Sequence, residues 1–247
     1  MNGVMRQDLY PELFEVEDSH WWHQHKRQIV HKLIKVFAGK RGKVLDIGAG
    51  TGKILSELKD KGWQIMGIDE EKEAVKWSKK RGVKIMQANL EKKLPFKENS
   101  FDLVLSLDAL EHLRKDSNAL KEINRVLKSK GIAIITVPAY QWLFNYWDKM
   151  LGHKRRYSKQ SLKKIIKAKN FNIEYLGYFS MFIFPLAILV RLIKKLLGKT
   201  QISDFQTTPL SLVSTPVIRL FNYIERILIT LISLPFGLSV ICVIRKK

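Results

Sequence analysis

The 247-residue chain is 46% hydrophobic and 27% charged, a globular balance that excludes disordered and fibrous classes and has room for one large α/β domain with a modest appendage. Its single cysteine, Cys242, excludes an internal disulfide framework and a cysteine-rich zinc site. The formal charge of +21, from 44 Lys and Arg against 23 Asp and Glu, requires an anionic partner or an outward-facing surplus.

The chain opens with Met1-Asn2-Gly3 and an acidic stretch containing Glu12, Glu15, Glu17 and Asp18. No basic segment leads into an apolar one, so no secretory signal is read and a cytosolic location is expected. Residues 20–38 predict one helix, rich in Trp and His, with Ile29, Leu33, Ile34 and Phe37 on one face. From residue 40 to 138, apolar β-branched runs alternate with amphipathic charged segments, the pattern of a parallel sheet covered on both faces. Strands are expected at Lys43–Ile47, Gln64–Ile68, Val83–Gln87, Asp102–Leu107 and Ile132–Val137. Helices are expected at Lys53–Lys61, Glu70–Arg81 and Ser117–Ser129, the last stopped by Lys130-Gly131, while Asn89–Ser100 reads as a loop.

Beyond the fifth strand lie an aromatic loop from Tyr140 to Trp147, a basic amphipathic helix near Lys159–Lys169 and a possible sixth strand at Phe171–Tyr178. Two apolar helical stretches follow, about 184–197 and 209–234, separated by a polar link at Gly198–Thr208. Leu238–Ile244 closes as a β-branched run. Two thirds of the charge surplus belongs to residues 151–247, which hold 17 basic and three acidic side chains, Glu174, Asp204 and Glu225. Basic residues interleaved with Leu and Ile fit an anionic membrane surface better than the aromatic platform of a nucleic-acid binder. The apolar stretches could span, lie on a membrane surface or pack in the core.

The strongest local signal is Val44-Leu45-Asp46-Ile47-Gly48-Ala49-Gly50-Thr51-Gly52, an apolar strand, an Asp and alternating glycines running into a helix. Such a turn lets a nucleoside ligand approach the strand end. A phosphate-binding P-loop fails because Ile47 and Ile54 stand where Gly and Ser or Thr are required. The dinucleotide fingerprint G-x-G-x-x-G wants a third Gly where Lys53 stands. The segment resembles the first motif of the class I S-adenosylmethionine-dependent methyltransferases, of the type 11 kind. Gly67-Ile68-Asp69, Ala88-Asn89-Leu90 with Leu94-Pro95-Phe96, and Phe101-Asp102-Leu103-Val104 with Leu107-Asp108-Ala109-Leu110-Glu111-His112 continue the match in register.

The resemblance implies a doubly wound, Rossmann-like α/β sheet of seven strands, the seventh antiparallel between the fifth and sixth. Leu238–Ile244 is the candidate for that strand, so residues 184–234 become an apolar helical insertion between strands six and seven rather than a membrane span. It also implies S-adenosyl-L-methionine as cofactor, held around Asp46, Gly48, Ala49, Gly50, Gly52, Asp69, Glu70, Asn89, Leu90 and Leu107. Ser19-His20-Trp21-Trp22 with Arg27, Trp147-Asp148 with Gly152-His153-Lys154-Arg155-Arg156-Tyr157-Ser158, and Leu234–Ser239 resemble a prokaryotic methyltransferase group associated with surface-glycan or lipid-linked pathways. Trp22 and Arg27 are candidates for covering the cofactor from a helical lid at residues 1–39, although core packing explains paired tryptophans equally well. The methyltransferase domain would comprise residues 40–183 and 235–247.

Tyr140, Trp147, His153, Arg155, Arg156 and Tyr157 combine stacking surface with donors suited to a sugar or phosphate acceptor. His112 could take the proton of a hydroxyl acceptor, or could be structural. No metal site is expected, because the spacing of His20, His23, His25, His31, His112 and His153 offers no ligand motif. The expected function is methylation, on oxygen, of a small glycan, lipid or lipid-linked acceptor by a protein peripheral to the inner face of the cell membrane. An RNA methyltransferase, an NAD-dependent oxidoreductase and a non-catalytic S-adenosylmethionine-binding protein are the competing readings; a nucleic-acid partner is disfavoured.

Overall fold

The computed structural model describes residues 7–196 and 215–247. Seven strands form one sheet in the order β3-β2-β1-β4-β5-β7-β6, comprising β1 Lys43–Ile47, β2 Gln64–Asp69, β3 Met86–Gln87, β4 Phe101–Leu107, β5 Leu127–Pro138, β6 Phe171–Phe179 and β7 Ser239–Lys246. β1 to β5 are parallel to their neighbours, while β7 runs antiparallel to both β5 and β6, with Thr136 opposite Ile241 and Tyr178 opposite Val240. The expected doubly wound sheet is therefore present, with the C-terminal β-branched run threaded between the fifth and sixth strands.

The central strands read as continuous apolar runs because both faces are covered. Leu45, Ile47, Val104, Ile135 and Cys242 join Leu120, Ile123, Leu162 and Ile166 in one core layer. Val44, Leu103, Leu105, Ile134 and Val243 join Ile29, Leu33, Leu55 and Leu58 in the other. The helices are α1 Tyr10–Ser19, α2 Trp21–Leu33, α3 Lys53–Asp60, α4 Lys72–Lys80, α5 Asp116–Val126, α6 Tyr146–Met150, α7 Lys159–Lys167, α8 Phe184–Leu196 and α9 Thr215–Leu228.

Several expectations shift for local reasons. The acidic stretch ahead of Ser19 is helical, with Pro11 in the first turn, and the leader expected at residues 20–38 leaves α geometry at Leu33 for a π-helical turn over Ile34–Ala38. α4 starts at Lys72 rather than Glu70 because the Asp69 carboxylate captures the Glu71 N–H at 2.9 Å. α5 ends at Val126, not Ser129, since Leu127 already pairs with Phe101; the register then shifts, with Lys130 left-handed at φ 62°, before Ile132 pairs with Leu103. At the sheet edge only Met86–Gln87 of the third strand is paired, although Val83 and Ile85 are buried. The second apolar helix stops at Leu228 rather than 234, and the polar link expected at Gly198–Thr208 lies outside the described residues.

The basic amphipathic helix α7 buries Leu162 and Ile166 against the sheet, so its apolar stripe belongs to the core and only its lysines face outward. Outward apolar surface lies instead on α8 and α9, where Leu189, Leu192, Leu220 and Tyr223 are each more than half exposed. Among the described residues, no helix is long and apolar enough to cross a membrane.

Candidate active site

The site is built at the carboxyl ends of β1, β2 and β4, where the strand order reverses and a crevice opens. After Ile47 the chain turns through Gly48, Gly50 and Gly52, all at positive φ, before α3 begins at Lys53. A side chain at Gly48 would place its Cβ 2.6 Å from that of Ala109, so the turn can pass the β4 end only as glycine. A Cβ at Gly50 would meet no atom within 4 Å, and the backbone there borders open space. The turn is tied to β2: Gly48 and Ala49 N–H groups donate to the Ile68 carbonyl at 2.9 and 3.0 Å, and the Gly50 N–H donates to Asp69 Oδ2 at 2.9 Å.

The crevice is a cavity of about 820 Å³, within the size range of small-molecule sites. Its β1–β2 side is acidic, lined by Glu17, Asp46, Asp69, Glu70 and Glu71. Asp46 is 2% exposed and its Oδ1 has no hydrogen-bond partner among the described residues; burial, then the neighbouring Asp69, push its carboxyl up to about 7. Burial also raises Asp69 above its ordinary value. The β4–β5 side and the α8 wall contribute Arg114, Lys154, Arg156 and Arg191. Lys26, Arg27 and Lys53 also border the cavity, as do Asp108 and Glu111 beyond β4, so groups of both signs line it.

The leader covers this cavity through ion pairs. Arg81 of α4 reaches Glu17 at 3.1 Å and Asp18 at 2.9 Å and lies over the Phe14 ring, while Arg27 and His31 of α2 both bind Glu57 of α3, at 2.9 and 2.7 Å. Lys26 points inward to Asp108 Oδ2 at 2.7 Å. Burial alone would raise the Asp108 carboxyl, but the Lys26 ammonium outweighs it and holds Asp108 below the usual carboxylate range. Asp108 is left-handed at φ 53° and is fixed further by a 2.9 Å hydrogen bond from Thr136 Oγ1.

Beyond Asp108 lie three more ionisable groups. Glu111 is fully buried, and neither carboxylate oxygen has a hydrogen-bond partner among the described residues; burial drives its pKa well above the usual carboxylate range. His112 is pushed down to about 3 by burial and by the adjacent His153, so its ring is uncharged. His153 is bound through Nδ1 to Asp148 Oδ1 at 2.9 Å. Asp148 also accepts from Arg156 Nε at 2.7 Å; against the opposing effect of burial, His153 and Arg156 bring its carboxyl down to about 2.

Of the sequence-predicted residues, the cavity brings together Trp22, Arg27, Asp46, Gly48, Ala49, Gly50, Asp69, Glu70, Leu90, Leu107, His112, Trp147, His153 and Arg156. Trp22 also stacks on Phe179, so it serves packing and lining together. Five predicted residues lie outside the lining. Gly52 is the left-handed N-cap of α3 against Ser78 and Val83. The Asn89 amide is engaged by Glu70 at 2.6 Å and by the Glu91 N–H at 2.8 Å. Tyr140 stacks on Tyr178. Arg155 binds Asp116 and the Leu113 and Arg114 carbonyls, and the buried Tyr157 hydroxyl donates to Asp116 at 2.8 Å; these two side chains hold the turn after β4 rather than reaching a ligand.

Sequence reasoning missed Glu17, Lys26, Asp108 and Glu111 as members of the site. The available signal for Lys26 was its position four residues after Trp22 on one helical face. Asp108 and Glu111 stood inside the quoted Leu107–His112 motif.

Residues 45–135 match the methyltransferase domain family. Over that segment the chain is similar to methyltransferase domains. An uncharacterized protein of Methanocaldococcus jannaschii is 34% identical over 48% of this chain and 54% of its own. A probable S-adenosylmethionine-dependent methyltransferase of Mycobacterium tuberculosis is 28% identical over 49% of this chain and 43% of its own. The chain spans about half the length of the curated relatives it matches. In fold it is similar to SAM-dependent methyltransferases from Methanosarcina mazei (TM-score 0.59, 17% identity, 87% of this chain and 96% of that one) and Thermotoga maritima (TM-score 0.56, 19% identity, 95% and 98%).

The similarity to methyltransferases implies S-adenosyl-L-methionine as cofactor, and the residues present fit it. The cofactor carries sulfonium and ammonium cations, which suit the unpartnered Asp46 oxygen and the acidic side of the cavity. The open backbone at Gly50 gives it a cradle that any side chain would fill. Asp69, which accepts one backbone N–H on each oxygen, retains a lone-pair direction on each for hydroxyl donors.

Proposed function

We propose that this protein transfers a methyl group from S-adenosylmethionine to an oxygen of an anionic glycan, lipid or lipid-linked acceptor at a membrane surface. The observation that carries the reading is α8, which walls the cavity and adds Arg191 to the basic groups Arg114 and Lys154 on its lining. Ala187, Val190 and Arg191 of that helix line the cavity, while Leu189, Leu192 and Ile193 face outward. A helix that lines the acceptor side with one face and exposes leucines on the other suits a site loaded from an apolar surface.

When bound, the cofactor supplies a sulfonium methyl group already activated for transfer. The chain must then place the acceptor oxygen in line and exclude water, the positioning that supplies most of the rate enhancement in such a reaction. Arg114, Lys154 and Arg191 would neutralise and orient a phosphate or carboxylate on the acceptor. His112, uncharged and on the lining, would offer a ring nitrogen to the proton of an acceptor hydroxyl. The leader helices, with Trp22 and Lys26 on the lining, would close the cofactor side as a lid.

Two measurements test the reading. Calorimetry is expected to show S-adenosylmethionine binding that Asp69→Ala weakens sharply, because both the Gly50 and Glu71 N–H groups lose their acceptor; NAD binding in its place would refute the cofactor assignment. Labelled methyl transfer into fractionated cell extract is expected in lipid or glycan, and label confined to RNA would refute the acceptor class.

A further inference from the structure

We propose that Glu111, His112 and His153 form a binding site for one divalent transition-metal cation at the acceptor end of the cavity. One ligand atom from each residue lies within 4.8 Å of the others, and all three residues border the cavity. They come from the turn after β4 and from the loop between α6 and α7, brought together only by the fold.

Charge matching singles out Glu111. Three carboxylates are buried or half-buried around this corner of the cavity. Asp108 is matched by Lys26 at 2.7 Å and Asp148 by Arg156 at 2.7 Å. Glu111 is fully buried, and His153 Nε2, 3.9 Å from its Oε1, is its one ion-pair neighbour among the described residues. With neither oxygen hydrogen-bonded, the carboxylate calls for a cation or a proton.

The surroundings of the histidines favour the cation. A histidine that binds a metal through one ring nitrogen generally donates from the other to a carboxylate or carbonyl, which fixes its tautomer. His153 meets that condition through the 2.9 Å bond between Nδ1 and Asp148, which leaves Nε2 facing Glu111. Asp148 is itself held by Arg156 and by the Asn145 N–H at 2.8 Å. His112 stands edge-on to His153, ring centroids 4.8 Å apart. Metal–ligand bonds of about 2.0–2.2 Å would draw the three ligand atoms together by small side-chain rotations. Two imidazoles with one carboxylate form a donor set for Zn²⁺, Mn²⁺, Fe²⁺ or Co²⁺ rather than for the all-oxygen ions Mg²⁺ and Ca²⁺.

Three protein ligands leave coordination positions open toward the cavity, the arrangement of a site that takes substrate. In its role, though not in its existence, this inference rests on the methyl-transfer reading. A hydroxyl or phosphate oxygen of the acceptor would occupy an open position, and the cation would lower the hydroxyl pKa. His112 would then be a ligand and not the proton acceptor.

The test is a titration of chelator-stripped full-length protein with Co²⁺, read by visible d–d absorption and by equilibrium dialysis. One equivalent is expected per chain, displaced by Zn²⁺. Glu111→Gln and His153→Ala are each expected to weaken binding by about tenfold or more, with circular dichroism reporting their folding. His20→Ala is expected to leave it intact, separating this site from the leader histidines. Absence of a stoichiometric site in the wild-type protein, or a site that persists in both folded variants, overturns the proposal. S-adenosylmethionine binding measured on the same samples fails or succeeds independently, which separates this proposal from the methyl-transfer reading.

Discussion

Replacing Asp46 by Asn should make the ligand-free protein more stable and its cofactor site worse. Asp46 is 2% exposed, its Oδ1 has no hydrogen-bond partner among the described residues, and burial pushes its carboxyl up to about 7 in the fold against 3.8 ordinarily. The folded state therefore holds this proton more tightly than the unfolded chain. Its contribution to stability is fully present below pH of about 4 and is lost as pH rises through about 7. Roughly three pKa units at about 1.4 kcal/mol each give a total of about 4 kcal/mol. Between pH 5.5 and 8.5 the part still to be lost is about 2 kcal/mol. Asn stays neutral throughout, so the advantage of Asp46→Asn over wild type should widen by about 2 kcal/mol across that interval, whatever constant packing cost the amide adds. Urea denaturation of both ligand-free proteins at the two pH values measures this difference. An advantage that does not change with pH would refute the reasoning. Calorimetry supplies the second arm: loss of the carboxylate should weaken S-adenosylmethionine binding by about tenfold or more, the factor that corresponds to 1.4 kcal/mol.

Other perturbations probe the frame around the site. Glu225 of α9 is buried, binds His25 of α2 at 3.2 Å and accepts the N–H groups of Ser180 and Met181; Glu225→Ala should cost about 3–5 kcal/mol in chemical denaturation, and a change below about 1 kcal/mol would deny it that role. Gly48→Ala, which sets a Cβ 2.6 Å from that of Ala109 at φ 78°, should destabilise by about 1–3 kcal/mol or more and abolish measurable cofactor binding. Wild-type protein should float with vesicles containing anionic phospholipid, whereas Leu189→Asp combined with Leu220→Asp should release it without altering cofactor affinity. Flotation that is absent, or unaffected by the pair, would refute the membrane-surface reading.

The sheet was legible because its strands are buried on both faces, so runs such as Val44–Ile47 and Ile132–Val137 carry an unbroken apolar signal. β7, 60 residues from β6 in sequence, was placed by the family resemblance, with its β-branched composition marking it as the candidate. Element ends were harder to read, because tertiary contacts outrank local propensity there. The Asp69 carboxylate delays α4, and pairing of Leu127 with Phe101 cuts α5 short. The site divides in the same way. Glycines whose geometry is set by a local turn were readable, and so was Asp69 at its strand end. Lys26, Glu17 and Glu111 were not, because their meaning lies in partners 82, 64 and 42 residues away, the last being His153 beside Glu111.

The basic amphipathic helix expected near Lys159–Lys169, with the basic residues ahead of it, belongs to the charge surplus that was assigned to an anionic membrane surface. The fold divides that segment between two tasks. Arg155 and Arg156 turn inward to Asp116 and Asp148 and hold the acceptor side of the cavity in shape. Leu162 and Ile166 are buried, leaving Lys163, Lys164 and Lys167 exposed without an apolar face beside them. On the proposed membrane-surface reading, attachment falls to the exposed leucines of α8 and α9, with Arg219 exposed beside them; completing the burial of the half-exposed Leu189, Leu192 and Leu220 would stabilise contact by about 1 kcal/mol per side chain. An attachment of that kind should resist salt that would strip a purely electrostatic one, since screening at 1 M shortens the reach of the exposed lysines to about 3 Å but leaves hydrophobic contact in place.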